Sequence, residues 1–520
     1  MSNLGDIEKR LWAIADDLRA NSGLKASEYS EPVLGLIFLR FASERLKAVT
    51  AEIRAANPEG YEITDDDILE RGAFIIPDNA RFDELLKLTE STNIGKIIND
   101  AMKEIDQNNK NLNNALPQNS YSRLSSSNIM TLLRALDSIT FEIEGDVFGK
   151  LYEYFLSEFA MAEGQRGGQF FTPTSIVKLI VEIIEPFSGR ICDLACGSGG
   201  MFVQSARFIR NHKRNPEDDI SIWGQEIMEE TARLCRMNLA VNGLSGNIKI
   251  GNSYYGDLKE LWGQPLWGTF DYVMANPPFN VSGVDKTKIA GDEVRYPLGT
   301  TLRTDNANYL WIQMFYSALN EHGRAGFVMA NSACDARNSE LDIRRKLLQK
   351  KAIDVMVLIG SNFFYTVTLP CTLWFLDKGK IGTPRENTVL FIDARNIYHQ
   401  VDRAHRDFLP QDLEFIANIV RLYRGEDPDF TNGSDNLISP KFPDNSYLNI
   451  PGLCKAVTLN EIEAQGWSLN PGRYVGVIER EGDDFDFKEK LHKLNTELTQ
   501  LNNEAHDIEL QISNNITSLL

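Results

Sequence analysis

Apolar and polar positions divide the chain into three regions. Leu4, Ile7, Leu11, Ile14 and Leu18 recur at spacings of three and four, the stripe of an amphipathic helix, and residues 33–41 are apolar on most sides, as in a buried helix. Residues 57–80 combine Pro, Gly and the acidic run Asp65, Asp66 and Asp67, and read as a solvated loop. Helical patterning resumes between Phe82 and Ile105, and the Asn- and Ser-rich stretch from Asn108 to Ser127 reads as an excursion with no core of its own. Residues 1–147 are therefore predicted to form an all-α domain, an interaction module. From Phe148 the pattern changes. Short apolar runs at 190–194, 220–223, 248–250, 272–275, 325–330, 353–358 and 373–376 alternate with helical stretches, which predicts a doubly wound α/β sheet within residues 148–480. Residues 377–480 are mixed and give no clear period. At the end, Leu491, Leu494, Leu498, Leu501, Ala505, Ile508 and Ile512 form a heptad seam. Residues 481–520 are thus predicted to be a coiled-coil helix that needs a partner; packing on its own domain is the alternative.

Ligands of such sheets sit beyond the carboxyl ends of the strands, so the turns after the first, second and fourth runs carry the chemistry. The first is Asp193-Leu194-Ala195-Cys196-Gly197-Ser198-Gly199-Gly200. Its small residues permit close backbone approach and positive φ, and helix N-terminal amides there can face a carboxylate or phosphate. Phe202 stands where a dinucleotide fingerprint has its third Gly, which disfavours that class. After the second run, Glu226 is placed to accept both hydroxyls of a ribose. After the fourth comes Asn276-Pro277-Pro278-Phe279. The prolines hold the backbone extended and have no amide hydrogen. Asn276 and the Pro277 carbonyl offer two acceptors, and Phe279 a flat apolar face. Two acceptors and an aromatic plate suit an exocyclic amine on a planar ring. Together the three turns describe a pocket for a nucleoside with an amino-acid tail, facing an amine.

Charge and composition narrow the partners. A net charge of −19 argues against strong autonomous DNA binding. No apolar run reaches the ~18 residues of a membrane span, and the first residues lack a signal peptide's pattern, so a cytoplasmic protein without membrane contact is expected. Six cysteines are scattered without a Cys-x-x-Cys pair, and His399 and His405 lie in a charged stretch, so no metal site is expected. Gly95-Lys96 lacks the flanking residues of a phosphate-binding loop.

The ordered set Asp193–Gly200, Glu226 and Asn276–Phe279 resembles S-adenosylmethionine-dependent amino-methyltransferases acting on DNA. Gly168-Gln169-Phe170-Phe171-Thr172-Pro173-Thr174 is similar to that family's cofactor segment, placed before the Gly loop as in the adenine-N6 group. Ala15–Arg19, Tyr29–Phe41, Asn308-Tyr309-Leu310-Trp311 and Leu469–Tyr474 extend the resemblance to the modification (methylation) subunits of type I restriction–modification systems.

The resemblance implies a Rossmann-like methyltransferase sheet with S-adenosyl-L-methionine as cofactor. Gln169, Phe170, Phe171, Thr172, Pro173 and Thr174 would line its methionine and adenine parts. Asp193, Ser198, Gly199 and Gly200 would hold its amino-acid portion, Glu226 its ribose, and Asn252, where many relatives have Asp, its adenine amine. Asn276, Pro277, Pro278 and Phe279 would act on an adenine flipped from double-stranded DNA, the choice of adenine over cytosine resting on motif order. The partners implied are a specificity subunit, a restriction (translocase/nuclease) subunit and a second copy of the chain. Residues 281–305, with Lys286, Lys288, Arg295 and Arg303, read either as a mobile loop over the base or DNA backbone or as an ordinary solvated loop. Methylation of protein glutamine or RNA, stand-alone DNA methylation, and a non-enzymatic protein on the same fold are the competing readings.

Overall fold

The computed structural model describes residues 12–13, 16, 26–112, 114–138, 147–163, 172–255, 266–299, 306–364, 370–403, 405–477 and 487–519. Residues 1–475 form one compact unit and residues 476–520 a second.

The first unit is built on a nine-stranded sheet. Its strands in chain order are β1 (Gly189–Asp193), β2 (Ile220–Glu226), β3 (Gly246–Ile250), β4 (Phe270–Ala275), β5 (Leu319–Ala330), β6 (Ile353–Leu358), β7 (Cys371–Asp377) and β8 (Thr388–Asp393); two two-residue strands, β9 (His399–Gln400) and β10 (Arg406–Asp407), pair only with each other, and β11 (Cys454–Thr458) completes the large sheet. The order is β11-β8-β6-β7-β5-β4-β1-β2-β3. β7 runs antiparallel between β5 and β6, and β11 antiparallel on β8; the other pairings are parallel. All seven expected strands are present. The fifth is longer than its apolar run, beginning at Leu319, and β8 and β11 lie in the stretch whose period was unclear.

Strand residues alternate between two cores, as a period of two demands. Val355, Val357, Leu373, Phe375, Leu390 and Ile392 pack with the helices Thr174–Ile184, Gly200–Asn211 and Pro410–Arg424. Met356, Trp374, Leu376, Val389 and Phe391 pack with the helices Asn308–Ala318 and Ser339–Gln349. Burial on both faces is why β6 and β7 read as continuous apolar runs.

The stretch before the sheet is helical: Ala26–Ala56, Asp65–Leu69, Phe82–Leu85, Ile94–Asn108, Ser126–Asp137 and Val147–Glu163. Its core takes in Met237, Ala240 and Val241 of the helix Glu229–Val241, so it is sealed against the sheet region. The stripe from Leu4 to Leu18 lies outside the described residues.

Two expectations are corrected here. The polar stretch 108–127 is not an excursion: Leu112, Ala115, Leu116, Tyr121 and Leu124 are buried in the helical core. Tyr121 donates to the Pro32 carbonyl at 3.0 Å, and it packs so closely that a Cβ on Gly35 would collide with its hydroxyl and with the Pro117 ring. Residues 57–80 are not simply solvated. The three aspartates form the first turn of the helix capped by Thr64, and Ala73, Phe74, Ile76 and Ala80 are buried.

Among the described residues, no helix is long and apolar enough to cross a membrane. The second unit contains the helix Phe487–Leu519, on which Leu491, Leu494, Leu498, Leu501 and Ile508 are more than half exposed.

Asn109 joins two segments of the helical core. Its Oδ1 accepts the Ile75 N–H at 2.9 Å, and its Nδ2 donates to the carbonyls of Ile75 at 2.9 Å and Ile105 at 2.7 Å. Asn109→Ala strands these buried groups and is expected to lower unfolding free energy by about 2–4 kcal/mol, read as a lower denaturation midpoint.

Candidate active site

In the strand order β3-β2-β1-β4-β5, chain progression reverses between β1 and β4, which pair directly through Ile191 with Tyr272 and Cys192 with Val273. The loops after them emerge side by side, the position at which open α/β sheets bind ligands. Asp193 ends β1 with its side chain buried, and its Oδ1 accepts the Ala195 N–H at 2.9 Å. Burial pushes its carboxyl up to about 8; the Ala195 N–H tempers the rise and the charge of Glu226 adds to it. Buried without a cation, this group keeps its proton up to about pH 8; a cation beside it, such as the ammonium of an amino acid, favours the carboxylate.

The loop then turns through Gly197 and Gly199, with φ of 53° and 82°. A Cβ at Gly199 would stand 2.8 Å from the Cys235 sulfur, so this position requires glycine twice over. Gly199 caps the helix Gly200–Asn211. Glu226, at the end of β2, ties this loop down. One oxygen accepts the Gly197 N–H at 3.0 Å, and the other the amides of Ile227 at 2.9 Å and Met228 at 3.0 Å. Three of its roughly four acceptor positions are thus engaged in shaping the site. Asn252 uses its amide oxygen similarly, accepting the Tyr254 N–H at 3.0 Å. Asn238 donates to the Ser198 carbonyl at 2.9 Å, and Ser253 to the Leu194 carbonyl at 2.5 Å.

After β4, the Asn276 amide is fixed by a residue far away in sequence. Its Nδ2 donates to the Thr172 hydroxyl at 2.8 Å, and its buried Oδ1 has no hydrogen-bond partner among the described residues. Pro277 is buried and Pro278 exposed. The turn closes at Asn280, held at φ 54°. The Asn280 N–H donates to Asn308 Oδ1 at 2.9 Å, Asn308 Nδ2 donates to Asn280 Oδ1 at 3.0 Å, and the Ala307 N–H donates to the Val281 carbonyl at 2.9 Å. Buried Asn308, at the start of its helix, therefore clamps the turn.

A cavity of about 1030 Å³ brings together Thr172, Thr174, Asp193, Ser198, Gly200, Glu226, Asn252, Asn276, Pro277 and Pro278. Three other residues expected at the site do not line it. Pro173 is buried at the start of the helix Thr174–Ile184, Gly199 is buried against Cys235, and Phe279 is half-buried between the two sheet cores. Gln169, Phe170 and Phe171 lie outside the described residues.

The far wall comes from the helical region and had no local signal in the sequence. Glu31 accepts from Arg233 at 2.8 Å and from Ser120. Glu153 accepts from Thr174 at 3.1 Å and Gln204 at 2.8 Å, and pairs with Arg207. A further correction concerns residues 281–305. Arg295 is not on a solvated loop: it is buried, donates to the Ser253 carbonyl at 3.3 Å and lies over the Trp267 ring. Tyr296 and Leu298 are buried beside it. Lys286 and Lys288 are exposed, and Arg303 lies outside the described residues.

Residues 143–483 match the family described as N-6 DNA Methylase, and residues 7–138 the HsdM N-terminal domain. The chain is 35% identical to the type I restriction enzyme MjaIX methylase subunit of Methanocaldococcus jannaschii, over 97% of this chain and 91% of the relative. It is 34% identical to the HindI methylase subunit of Haemophilus influenzae, over 82% of this chain and 93% of the relative. In fold it is similar to the crystal structure of a type I restriction-modification system methyltransferase subunit from Streptococcus thermophilus, with a TM-score of 0.74 at 20% identity, covering 91% of this chain and 100% of the other.

Asp193 sets a dependence on pH. Its folded value lies near 8 against an ordinary 3.8. Between those values the folded carboxyl keeps a proton that the unfolded one has lost, so its contribution to stability falls as pH rises from about 4 to about 8 and is level above. Asp193→Asn removes the slope. Thermal denaturation of the cofactor-free protein is expected to show the variant gaining on the parent across that window.

Proposed function

The chain belongs to the N-6 DNA methylase family, with the methylase subunits of type I restriction enzymes, and from this premise we propose how its residues transfer a methyl group to the N6 amine of adenine in DNA. The cofactor proposed is S-adenosyl-L-methionine, and the cavity suits it. Asp193 is a buried carboxylate matched to the cofactor's ammonium. The amides beyond Ser198 and Gly199, at the start of a helix, suit its carboxylate. Glu226 keeps an acceptor position for ribose, and Asn252 lines the wall proposed for the adenine. When bound, the cofactor supplies an electrophilic methyl on a sulfonium that leaves as a neutral thioether.

The observation that carries the reaction centre is the unpartnered, buried Oδ1 of Asn276. An aromatic amine is a weak nucleophile because its lone pair is delocalised into the ring. With one N–H accepted by Asn276 Oδ1 and the other by the Pro277 carbonyl, the nitrogen is drawn towards tetrahedral geometry and its lone pair is aimed at the methyl. The same two dipoles stabilise the positive charge that develops on nitrogen as the bond forms, and one amine proton is then lost to solvent to give the neutral methylated amine. Because Thr172 and the Asn280–Asn308 pair hold these acceptors in place, little reorganisation is needed at the moment of transfer. A duplex base cannot reach such a cavity, so the target must be flipped out. Phe279, which does not line the cavity in this structure, is proposed to stack on the base once it has been flipped in.

We assign residues 1–147 to subunit and DNA interaction, 148–480 to methyl transfer and 481–520 to assembly with a specificity subunit. The acidic charge leaves DNA to be held largely by that partner. A second copy of the chain and a restriction subunit complete the proposed complex. The exposed leucines of the terminal helix support the assembly role.

The test is transfer of labelled methyl from S-adenosylmethionine to DNA, with and without a co-expressed specificity subunit. Label is expected in adenine of DNA only when the partner is present, and Asn276→Ala is expected to abolish it while cofactor binding survives. Label in protein alone, or normal turnover by the variant, would overturn the reading.

A further inference from the structure

Glu153 lies on the helix Val147–Glu163 of the helical region, lines the cavity, and takes its hydrogen bonds from the sheet region. Oε1 accepts the Thr174 hydroxyl at 3.1 Å and the Gln204 amide at 2.8 Å, and Oε2 pairs with Arg207. The Glu153 and Arg207 side chains are 20% and 15% exposed, so solvent and salt compete little for these bonds.

The donors belong to two helices that carry the two halves of the site. Thr174 is the first residue of the helix Thr174–Ile184, and Gln204 and Arg207 lie on the helix Gly200–Asn211. The first helix follows Thr172, whose hydroxyl accepts from Asn276 Nδ2 at 2.8 Å. Only Pro173 separates Thr172 from Thr174, and its ring fixes φ, so the two threonines move together. Pro173 also stands at the cap position and offers no side-chain acceptor, which leaves Glu153 as a side-chain anchor for this helix start. The second helix continues the Gly loop, which is proposed to hold the methyl donor. A single carboxylate is thus bonded to the element that orients Asn276 and to the element that follows the Gly loop.

Resting on the methyl-transfer reading of this site, we propose that Glu153 is a positioning residue, which holds Asn276 in register with the methyl donor by tying Thr174 to the helix after the Gly loop. Its effect on the reaction is exerted through Thr174 and Thr172. Transfer between two groups bound on different elements depends steeply on their alignment, and this carboxylate bridges those elements. The pair with Arg207 serves a different end: it balances the charge of Glu153 and fastens the helical region to the sheet region. Because Oε1 makes the first set of bonds and Oε2 the second, the two roles can be separated.

Glu153→Gln keeps an acceptor towards Thr174 and Gln204 but gives up the charge that faces Arg207. Thr174→Val keeps the shape and the ion pair, and removes the donor that links Glu153 to the Thr172 segment; Thr174→Ser keeps that donor. For each variant in the assembled complex, three quantities are measured: the single-turnover rate of methyl transfer to adenine in DNA, the dissociation constant of S-adenosylmethionine and the thermal midpoint. Thr174→Val is expected to lose about tenfold in rate, in line with one buried hydrogen bond to a charged group, with cofactor affinity kept. Thr174→Ser is expected to be near-parental in all three. Glu153→Gln is expected to lower the midpoint more than Thr174→Val does, yet to keep its rate within about threefold of the parent. Adding Thr174→Val to Thr172→Val is expected to cost less than about twofold further, because both act through Asn276. A parental rate in Thr174→Val, a loss confined to cofactor affinity, losses that multiply in the double variant, or rates that simply follow the midpoints across the set would overturn the proposal while leaving methyl transfer intact. A parent complex that transfers no methyl to adenine would overturn the reading on which the proposal rests, and the proposal with it.

Discussion

Asn276 can present either end of its amide to the cavity, and in this structure its Nδ2 is the end held by the Thr172 hydroxyl. By accepting from Nδ2 at 2.8 Å it leaves Oδ1 facing inward as a bare acceptor. The opposite orientation would present an N–H₂ to an incoming amine and repel it. The direct pairing of β1 with β4 brings the Gly loop and the Asn276–Phe279 turn to one end of the sheet. The prolines stiffen the turn, Asn280 bends it at positive φ, and Asn308 fastens it from the next helix.

The Gly loop is fastened in the same manner. Glu226 spends most of its acceptor capacity on backbone amides of two loops, so it is a brace of the cavity wall as well as the residue proposed to meet a ribose. Asn252 braces Tyr254 in turn. The helical region closes the other side of the cavity through Glu31 and Glu153, whose carboxylates are held by Arg233 and Arg207. That region therefore shapes the cavity, and its own core is completed by Met237, Ala240 and Val241 from the sheet region.

β6 and β7 were legible in the sequence because strands covered on both faces read as nearly continuous apolar runs; the partly exposed β2 and the edge strand β3 were legible from short apolar runs next to turn residues. β8, just as buried, was obscured by the irregular stretch around it, and β11 is a half-buried antiparallel edge. The three turns that line the cavity were legible because glycines, an acidic residue and paired prolines have few other uses in that order. Their supports were not. Thr172 is 104 residues from Asn276, and Asn308 is 28 from Asn280; neither spacing leaves a local trace. Arg295 misled for a related reason. Its charge suggested solvent or phosphate, whereas its partners are Asp292, a backbone carbonyl and an indole ring, which composition cannot reveal. Glu153 and Glu31 join the site only through packing of the helical region on the sheet.

The most direct test of the orienting bond compares Thr172→Ser with Thr172→Val in the assembled complex, reading kcat and cofactor affinity separately. Serine keeps the acceptor for Asn276 Nδ2 and valine keeps the shape without it. Near-parental kcat is predicted for serine. For valine a loss of about tenfold or more is predicted, as expected for a buried hydrogen bond of 1.4 kcal/mol or more, with cofactor affinity little changed. Parental kcat in the valine variant would contradict the account.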